Sequence, residues 1–393
     1  MEAAHKEDGC LPTPKNAPAL RVLMISKACL VGAYQRKLEA IAAHDDIELT
    51  VVVPPTWKEP GRTLHLEQAH TVGYTLIVEP LRFNGNFHLH YYPGLKRHVF
   101  ALRPDVVHID EEPYNLATYH ALRLARRIEA KSLFFTWQNI YRRYPPPFAQ
   151  MERWVLRHAD YGIAGNEEAI AVWRRKGYSG PMEVIPQFGV DPQLFSPDPA
   201  PRERQHFVIG YAGRLVPEKG VDLLIRAVVK LPGRWILRIL GEGPQREALQ
   251  MLAGVYDLSG SVIFEQPIPS TEMPRFYRDL DVLVLPSRTQ RNWKEQFGRV
   301  LVEAMACGVP VVGARSGAIP EVIGNAGLLF PEGDADALAA CLLALMQRPR
   351  LRQQLAEDGR ARVLERFTQT RVAAQTVTIY RKLASRLSTN ADT

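Results

Sequence analysis

Four charged side chains in the second half of the chain stand where they could handle a phosphorylated ligand. Arg214 and Lys219 belong to GYAGRLVPEKG, residues 210–220. There an apolar run reaches Gly213, and Lys219 and Gly220 open the next helical pattern. Glycine lets a backbone come close to a ligand. Arg214 offers planar N–H donors for phosphate oxygens, and Lys219 adds a compact positive charge. The helix N-terminus that follows also favours an anion. By itself the motif is equally compatible with an ordinary strand–turn–helix carrying a solvated arginine and lysine.

The other two, Glu295 and Glu303, lie in KEQFGRVLVEAMACGVPVV, residues 294–312. Eight residues of helix separate two side chains by roughly 12 Å. That is too far for a shared proton, but it suits gripping the two ends of an extended ligand. Gly298 permits close backbone approach, and the first-turn N–H groups face outward for anions. The plainer reading makes Glu295 a cap and Glu303 an exposed helix residue. Against it, Glu303 is flanked by Leu301, Val302, Ala304 and Met305. A carboxylate in so apolar a helix needs a partner.

Weaker signals accompany these. Leu240-Gly241-Glu242-Gly243 is a strand-to-helix turn, as often a simple turn as a binding loop. Gly32 occupies the first turn of the first βαβ unit, where a ligand could approach. His108-Ile109-Asp110-Glu111-Glu112 ends a strand of the first half. His108 alternates with apolar residues and reads first as a satisfied core histidine. Asp110 and Glu111 are better placed to meet an acceptor hydroxyl. Arg142 and Arg143, beside Tyr141, Tyr144 and three prolines, form an arginine-aromatic loop that suits an acceptor, a membrane surface or plain solvent.

Two sets of elements must position these groups. Apolar runs alternating with amphipathic stretches predict strands over 19–26, 47–53, 75–78, 105–110, 132–136, 161–165 and 182–186, with helices over 33–44, 116–130, 148–159 and 167–176. The pattern restarts after a proline-rich stretch at 189–204. Strands follow over 207–212, 236–240, 262–265, 282–285, 309–312 and 328–330. Helices follow over 221–231, 245–255, 272–278, 297–307, 336–346, 351–366 and 369–386. Strand–helix alternation means βαβ units and parallel sheets, so the expected class is α/β, with two Rossmann-like, doubly wound domains facing a deep cleft. The expected organisation is a disordered tail at 1–18, a first domain at 19–190, a linker at 191–204, a second domain at 205–366, and a helix at 367–388 that crosses back.

With 393 residues, 46% of them hydrophobic, two full-sized cores can form. Net charge is +7, and the excess is +3 over residues 1–190 and +4 over the rest, with no basic tail. A generally solvated basic surface explains that better than a nucleic-acid footprint. Cys10, Cys29, Cys307 and Cys341 have neither metal-type nor redox-type spacing, which suits a reducing compartment. The start lacks the charged-then-apolar pattern of a signal peptide, and no apolar run approaches about 20 residues. A cytoplasmic protein is expected, with any membrane contact peripheral.

Taken together, the second half, 207–386, resembles family 4 of the retaining glycosyltransferases, whose two-domain architecture is called GT-B. The resemblance rests on GYAGRLVPEKG, LGEGP, DVLVLPS, EQFGRVLVEAMACGVPVV and GAIPEVIGNAGLLFPEGDADAL, in that order. The first half is similar more loosely, through PDVVHID and VIPQFGVDPQLFSP. The resemblance implies roles. Arg214 and Lys219 would bind a donor diphosphate, with Gly213 and Gly241 close by. Glu295 would contact the transferred sugar, with Phe297 and Gly298 bringing backbone near it. Glu303 would accept from the nucleotide ribose, and backbone at Pro267 and Ile268 would meet the base. Gly32 would lie beside the donor, Asp110 at the reacting end, and His108, Glu111, Arg142 and Arg143 toward the acceptor.

It further implies a hexosyltransferase that needs neither metal nor cofactor. The donor would be a nucleotide-diphosphate sugar, UDP-linked in first expectation and GDP-mannose otherwise. The acceptor would be a glycan or lipid-linked intermediate of envelope or exopolysaccharide synthesis, and no nucleic acid would be involved. The chain departs from the family pattern at Gln266-Pro267, at Val31-Gly32-Ala33, at Asp110 and in the long basic stretch 288–294, RTQRNWK. Two other readings stay open. A nucleotide-sugar epimerase of the same architecture would turn over donor without acceptor. A non-catalytic sugar- or nucleic-acid-binding protein would not require Arg214, Lys219 and Glu295 together.

Overall fold

The computed structural model describes residues 19–59, 61–198 and 205–391. The tail expected at 1–18, Cys10 within it, and part of the expected linker lie outside the described residues. Among the described residues, nine strands form the first half: β1 (Leu20–Ile25), β2 (Ile47–Val53), β3 (Thr56–Glu59), β4 (Arg62–His65), β5 (Thr75–Val78), β6 (Val106–Ile109), β7 (Lys131–Thr136), β8 (Tyr161–Ala164) and β9 (Met182–Val184). Seven make one parallel sheet in the order β5-β2-β1-β6-β7-β8-β9. The second half contributes β10 (Phe207–Ala212), β11 (Trp235–Leu240), β12 (Val262–Glu265), β13 (Val282–Leu285), β14 (Val311–Ala314) and β15 (Leu328–Phe330). These also pair in parallel, in the order β12-β11-β10-β13-β14-β15.

The central strands are apolar on both faces because helices cover both. Val51, Val52 and Val53 are fully buried in succession, as are Val282, Leu283 and Val284. Each sheet reverses its strand order once, between β1 and β6 and between β10 and β13. A crevice opens at the carboxyl ends of the strands flanking such a reversal. The second crevice receives the turn after β10, with Arg214, and the segment after β13, with Ser287.

Three elements escape the periodic pattern. The β3–β4 hairpin buries Trp57 but little else, so its residues show no apolar run. A helix covers Leu95–Leu102, and a five-residue helix covers Ile319–Ile323. The expected helix over 297–307 starts at Arg299, because Gly298 takes a left-handed conformation (φ 76°) that ends the preceding loop.

The chain passes between domains twice, side by side. Val190 bridges Thr368, with Val190 N–H donating to Phe367 O (2.8 Å) and Gln369 N–H to Val190 O (3.1 Å). The described part of the expected linker is packed, with Phe195 buried. The last helix, Gln369–Ala391, lies on the first domain, where Arg381 pairs with Asp46 (2.7 Å) and Lys382 with Glu183 (2.6 Å). Cys29 and Cys307 are buried free thiols, and Cys341 is half-buried. Among the described residues, no helix is long and apolar enough to cross a membrane.

Candidate functional site

Two hollows open above the second sheet. One, of about 430 Å³, is lined by Gly241, Pro267, Ile268, Met273, Arg299 and Glu303 among others. The other, of about 460 Å³, is lined by Lys219, Trp293, Glu295 and Gly298 among others. Both include Gly213, Arg214, Arg299 and Val300, so they form one elongated trough with Arg214 at its waist. Its floor is made by two strand ends in contact. Gly213 (φ 151°) and Gly241 (φ 149°) meet so closely that a Cβ on Gly241 would lie 1.9 Å from Gly213 O. Only glycines let the two turns abut and leave the trough open.

Charge is arranged along it. Lys219 Nζ donates to Glu295 Oε2 (2.6 Å), and Ser287 Oγ donates to the same oxygen (2.9 Å). The ammonium also lies 4.9 Å from the Trp293 ring centroid. Arg214 differs: its side chain is 73% exposed and has only a 3.5 Å contact to Glu218. Its guanidinium is thus largely uncommitted, while Lys219 is locked in a buried pair. At the other end, Glu303 has the partners its apolar helix demands. Arg299 Nε donates to Oε1 (2.6 Å) and Tyr277 Oη–H to Oε2 (2.7 Å). Arg299 also donates to Tyr34 Oη (2.8 Å) of the first domain, whose ring stacks on Phe188 at 3.8 Å.

The first domain meets the hollow lined by Lys219 and Glu295, here the lower one, through the segment before Gly298. Asn139 Nδ2 donates to Glu295 O (3.1 Å), Asn166 Nδ2 to Gln296 O (2.7 Å), and Gln296 Nε2 to Trp137 O (3.1 Å). Arg142 reaches Asn292 O, and Lys294 pairs with Glu168 (2.5 Å). Among the described residues, no group of three or more His, Cys, Asp or Glu is gathered as a metal site.

The structure therefore brings Gly213, Arg214, Lys219, Gly241, Pro267, Ile268, Glu295, Gly298 and Glu303 to one trough, and it corrects several other expectations. Phe297 was expected to act through its backbone, and its ring packs between Trp137 (5.7 Å) and Phe367 (5.9 Å). The space before Gly32 is taken by the chain itself. Glu67 accepts from Gly32 N (2.6 Å), and a Cβ there would lie 2.7 Å from that of Ala69. The expected ligand position at that helix N-terminus is thus filled by a carboxylate. Asp110 is buried, accepts from Ser26 Oγ (2.7 Å) and lines neither hollow; burial raises its pKa, which suits the neutral acid. His108 is a core histidine bonded to Tyr380 Oη (2.7 Å), its pKa pushed well below the usual range by burial. Glu111 is buried against Lys27 (2.6 Å). Arg143 is exposed and lines neither hollow.

Sequence reasoning missed Arg299, Tyr277, Ser287 and Trp293. The Arg299–Glu303 pair has a readable i, i+4 spacing, and it could have been found. Tyr277 and Ser287 come from separate elements that only the fold brings together.

Adjacent carboxylates at the end of β6 titrate in opposite directions. Burial pushes the Glu112 carboxyl up to about 7 despite its bonds from Thr136 Oγ1 (2.6 Å) and Trp137 N (2.7 Å). Burial opposes the Glu111 charge too, but Lys27 and His90 outweigh it and hold that carboxyl at about 2. A raised carboxyl keeps a proton in the folded state that the unfolded chain releases above its ordinary 4.5. Stability from Glu112 is therefore lost as pH rises from 4.5 through 7, and that from Glu111 as pH falls from 4.5 toward 2. Glu112→Gln is expected to gain, relative to the parent, on the order of 2 kcal/mol between pH 5 and pH 8. Thermal melts at both values check this, and an equal difference at both would contradict it.

Residues 38–194 match the family model of Glycosyltransferase Family 4, and residues 195–362 match that of Glycosyl transferases group 1. The two matches abut without a gap. The chain belongs to the family-4, group-1 glycosyltransferases. Among relatives of this family-4 chain is the GDP-mannose-dependent alpha-(1-6)-phosphatidylinositol monomannoside mannosyltransferase of Mycolicibacterium smegmatis, 36% identical over 206 residues, which are 49% of this chain and 54% of the relative. Another is the MMP alpha-(1->4)-mannosyltransferase of Mycolicibacterium hassiacum, 34% identical over 216 residues, 53% of this chain and 50% of the relative. The chain thus spans about half the length of the curated relatives it matches. Among solved structures, the sucrose-phosphate synthase of Thermosynechococcus elongatus superposes with a TM-score of 0.71 at 21% identity, covering 93% of this chain and all of that one. That likeness shows the fold, the GT-B arrangement of two parallel-sheet domains, for this family-4 member.

Proposed function

We propose that the chain is a retaining hexosyltransferase that takes its sugar from a nucleotide-diphosphate donor lying along the trough. The observation that carries this reading is the order of charges: the Glu303 carboxylate at one end, Arg214 at the waist, and the Lys219–Glu295 pair at the other. A nucleotide sugar has matching parts in the same order: ribose hydroxyls, diphosphate, sugar hydroxyls. Pro267 and Ile268 suit the flat face of the base. Arg214, largely exposed and uncommitted, suits the diphosphate, whose negative charge grows as it leaves.

In the proposed step the acceptor hydroxyl oxygen bonds to the anomeric carbon while the bond from that carbon to the β-phosphate oxygen breaks. The electron pair stays on the diphosphate, and the hydroxyl proton passes to a phosphate oxygen. Glu295 is held by Lys219 and Ser287, and in the proposed route the diphosphate oxygen takes the proton. Attack and departure on one face keep the anomeric configuration. The protein's contribution is position and charge, with no metal or cofactor in the proposed route.

The two relatives at 36% and 34% identity carry mannosyltransferase names, and the first is GDP-mannose-dependent. We therefore place GDP-mannose ahead of the UDP-sugar expected from sequence, with a glycan or lipid-linked acceptor. A thermal-shift series with GDP, GDP-mannose, UDP and UDP-glucose tests this. A ligand at 100 times its Kd adds about 2.7 kcal/mol. The expected result is a rise in Tm with GDP and GDP-mannose that exceeds the rise with the uridine compounds. No rise with any of the four would overturn the function, and a larger rise with the uridine pair would overturn the donor.

A further inference from the structure

A third hollow, of about 450 Å³, lies on the first domain and shares no lining residue with the trough. It runs along the helix Leu116–Arg127, with Lys96 reaching it from the helix Leu95–Leu102 and Tyr91 from the segment before that. On the longer helix it meets Leu116, Tyr119, His120, Arg123, Leu124 and Arg127, the i, i+3, i+4 spacing of one helix face. Leu124 is buried, and Leu116, Tyr91 and Tyr119 are half-buried. Lys96, Arg123 and Arg127 are exposed. The hollow is thus apolar at depth and positive at its mouth.

The positive charges there are uncompensated. Among the described residues, none of Lys96, Arg123 and Arg127 pairs with a carboxylate. Arg123 donates to Tyr119 Oη (3.4 Å) and lies 5.5 Å from that ring's centroid. Two arginines four residues apart on a helix repel each other. His120, its ring 5.6 Å from that of Tyr91, feels the same field: burial, then Arg123 and Arg127, push its pKa down. Three positive charges around one concave mouth match the near-dianion of a phosphate monoester, whereas a carboxylate would leave two of them unanswered. The two leucines and the two tyrosine rings match an apolar or aromatic body on that phosphate. Bare phosphate would leave them unused, and a sugar phosphate would set hydroxyls against the leucines.

We propose that this hollow is a binding site, separate from the trough, for the phosphate monoester of an apolar or aromatic alcohol. Lys96, Arg123 and Arg127 hold the phosphate oxygens, and Tyr91 and Tyr119 flank the body of the ester. No residue of the trough takes part, so the site is independent of the donor reading.

Isothermal titration of phenyl phosphate into the whole chain tests it, with inorganic phosphate and phenol as partial probes. The expected result is one site that binds phenyl phosphate at least about tenfold more tightly than either partial probe. Arg123→Ala and Lys96→Ala are each expected to weaken it roughly tenfold and to leave GDP binding unchanged. No binding of phenyl phosphate, equal binding in both variants, or equal binding of phenol or inorganic phosphate would each overturn the proposal. So would binding that is lost in Arg214→Ala and kept in Arg123→Ala, which would put the probe in the trough. Monomeric dihexanoyl phosphatidate separates two sources of such a phosphate, and with either the site stands. Binding tighter than that of phenyl phosphate marks a lipid headgroup, and weaker binding a free ester. Thermal melts separate a folded variant from an unfolded one, and Arg123→Gln gives the answer if the alanine variants do not fold.

Discussion

Lys219→Ala is expected to lower kcat by roughly 10²- to 10³-fold, with Arg214→Ala about 10²-fold down. The two losses have different physical origins. Arg214 is mostly exposed and weakly paired, so its removal takes away a donor aimed at the leaving diphosphate and disturbs little else. Its effect should fall on kcat and on kcat/KM alike, the mark of an interaction made in the transition state. Lys219 is a partly buried partner of the buried Glu295. Its removal leaves that carboxylate with Ser287 alone and frees it to shift toward the diphosphate, where a negative charge repels. Lys219→Arg is not a neutral exchange, because a planar fork replaces a point charge against the Trp293 ring. Steady-state turnover of a nucleotide sugar checks both, and near-parental rates in either alanine variant would remove that residue from the reaction.

Glu303→Ala is expected to weaken nucleotide binding by about 10-fold to 10²-fold, the scale of a lost hydrogen bond to a charged group. It should also destabilise the fold by about 2 to 3 kcal/mol. The second effect follows because the fully buried Tyr277 hydroxyl loses its acceptor and Arg299, two-thirds buried, loses its counter-charge. The ribose role makes a sharper prediction than affinity alone. The parent protein should prefer GDP over its 2′,3′-dideoxy analogue, and Glu303→Ala should bind the two nearly equally. Calorimetric titration reads the preference, and urea denaturation reads the stability. A variant that keeps the preference would make Glu303 a structural residue paired to Arg299.

The residues of the trough were legible because they are local in sequence. Arg214 and Lys219 sit five residues apart around one turn, and Glu295 and Glu303 flank one helix N-terminus. The isolation of Glu303 among apolar neighbours correctly implied a partner. The acceptor side was not legible, for a physical reason. Asp110, Glu111 and His108 occupy the ends of a central strand, and whether such residues face a cleft or the interior depends on what covers them. The C-terminal helix covers His108 through Tyr380, and Ser26 from the neighbouring strand end takes Asp110. Gly32 misled similarly: the glycine is real, but Glu67, thirty-five residues on, fills the place a ligand would use. A strand with a continuous apolar run, Val282–Leu285, agreed to the residue, whereas the β3–β4 hairpin, with one buried tryptophan, had no periodicity to read.

A nucleoside diphosphate and its monophosphate differ only in the group that Arg214 and Lys219 are held to neutralise. Isothermal titration of GDP and GMP into the parent protein and into the Arg214→Ala, Lys219→Ala double variant addresses that charge directly. The parent is expected to bind GDP at least about 10²-fold more tightly than GMP, and the double variant to bind the two within a few-fold of each other. Retention of the full GDP preference in a folded double variant would contradict it.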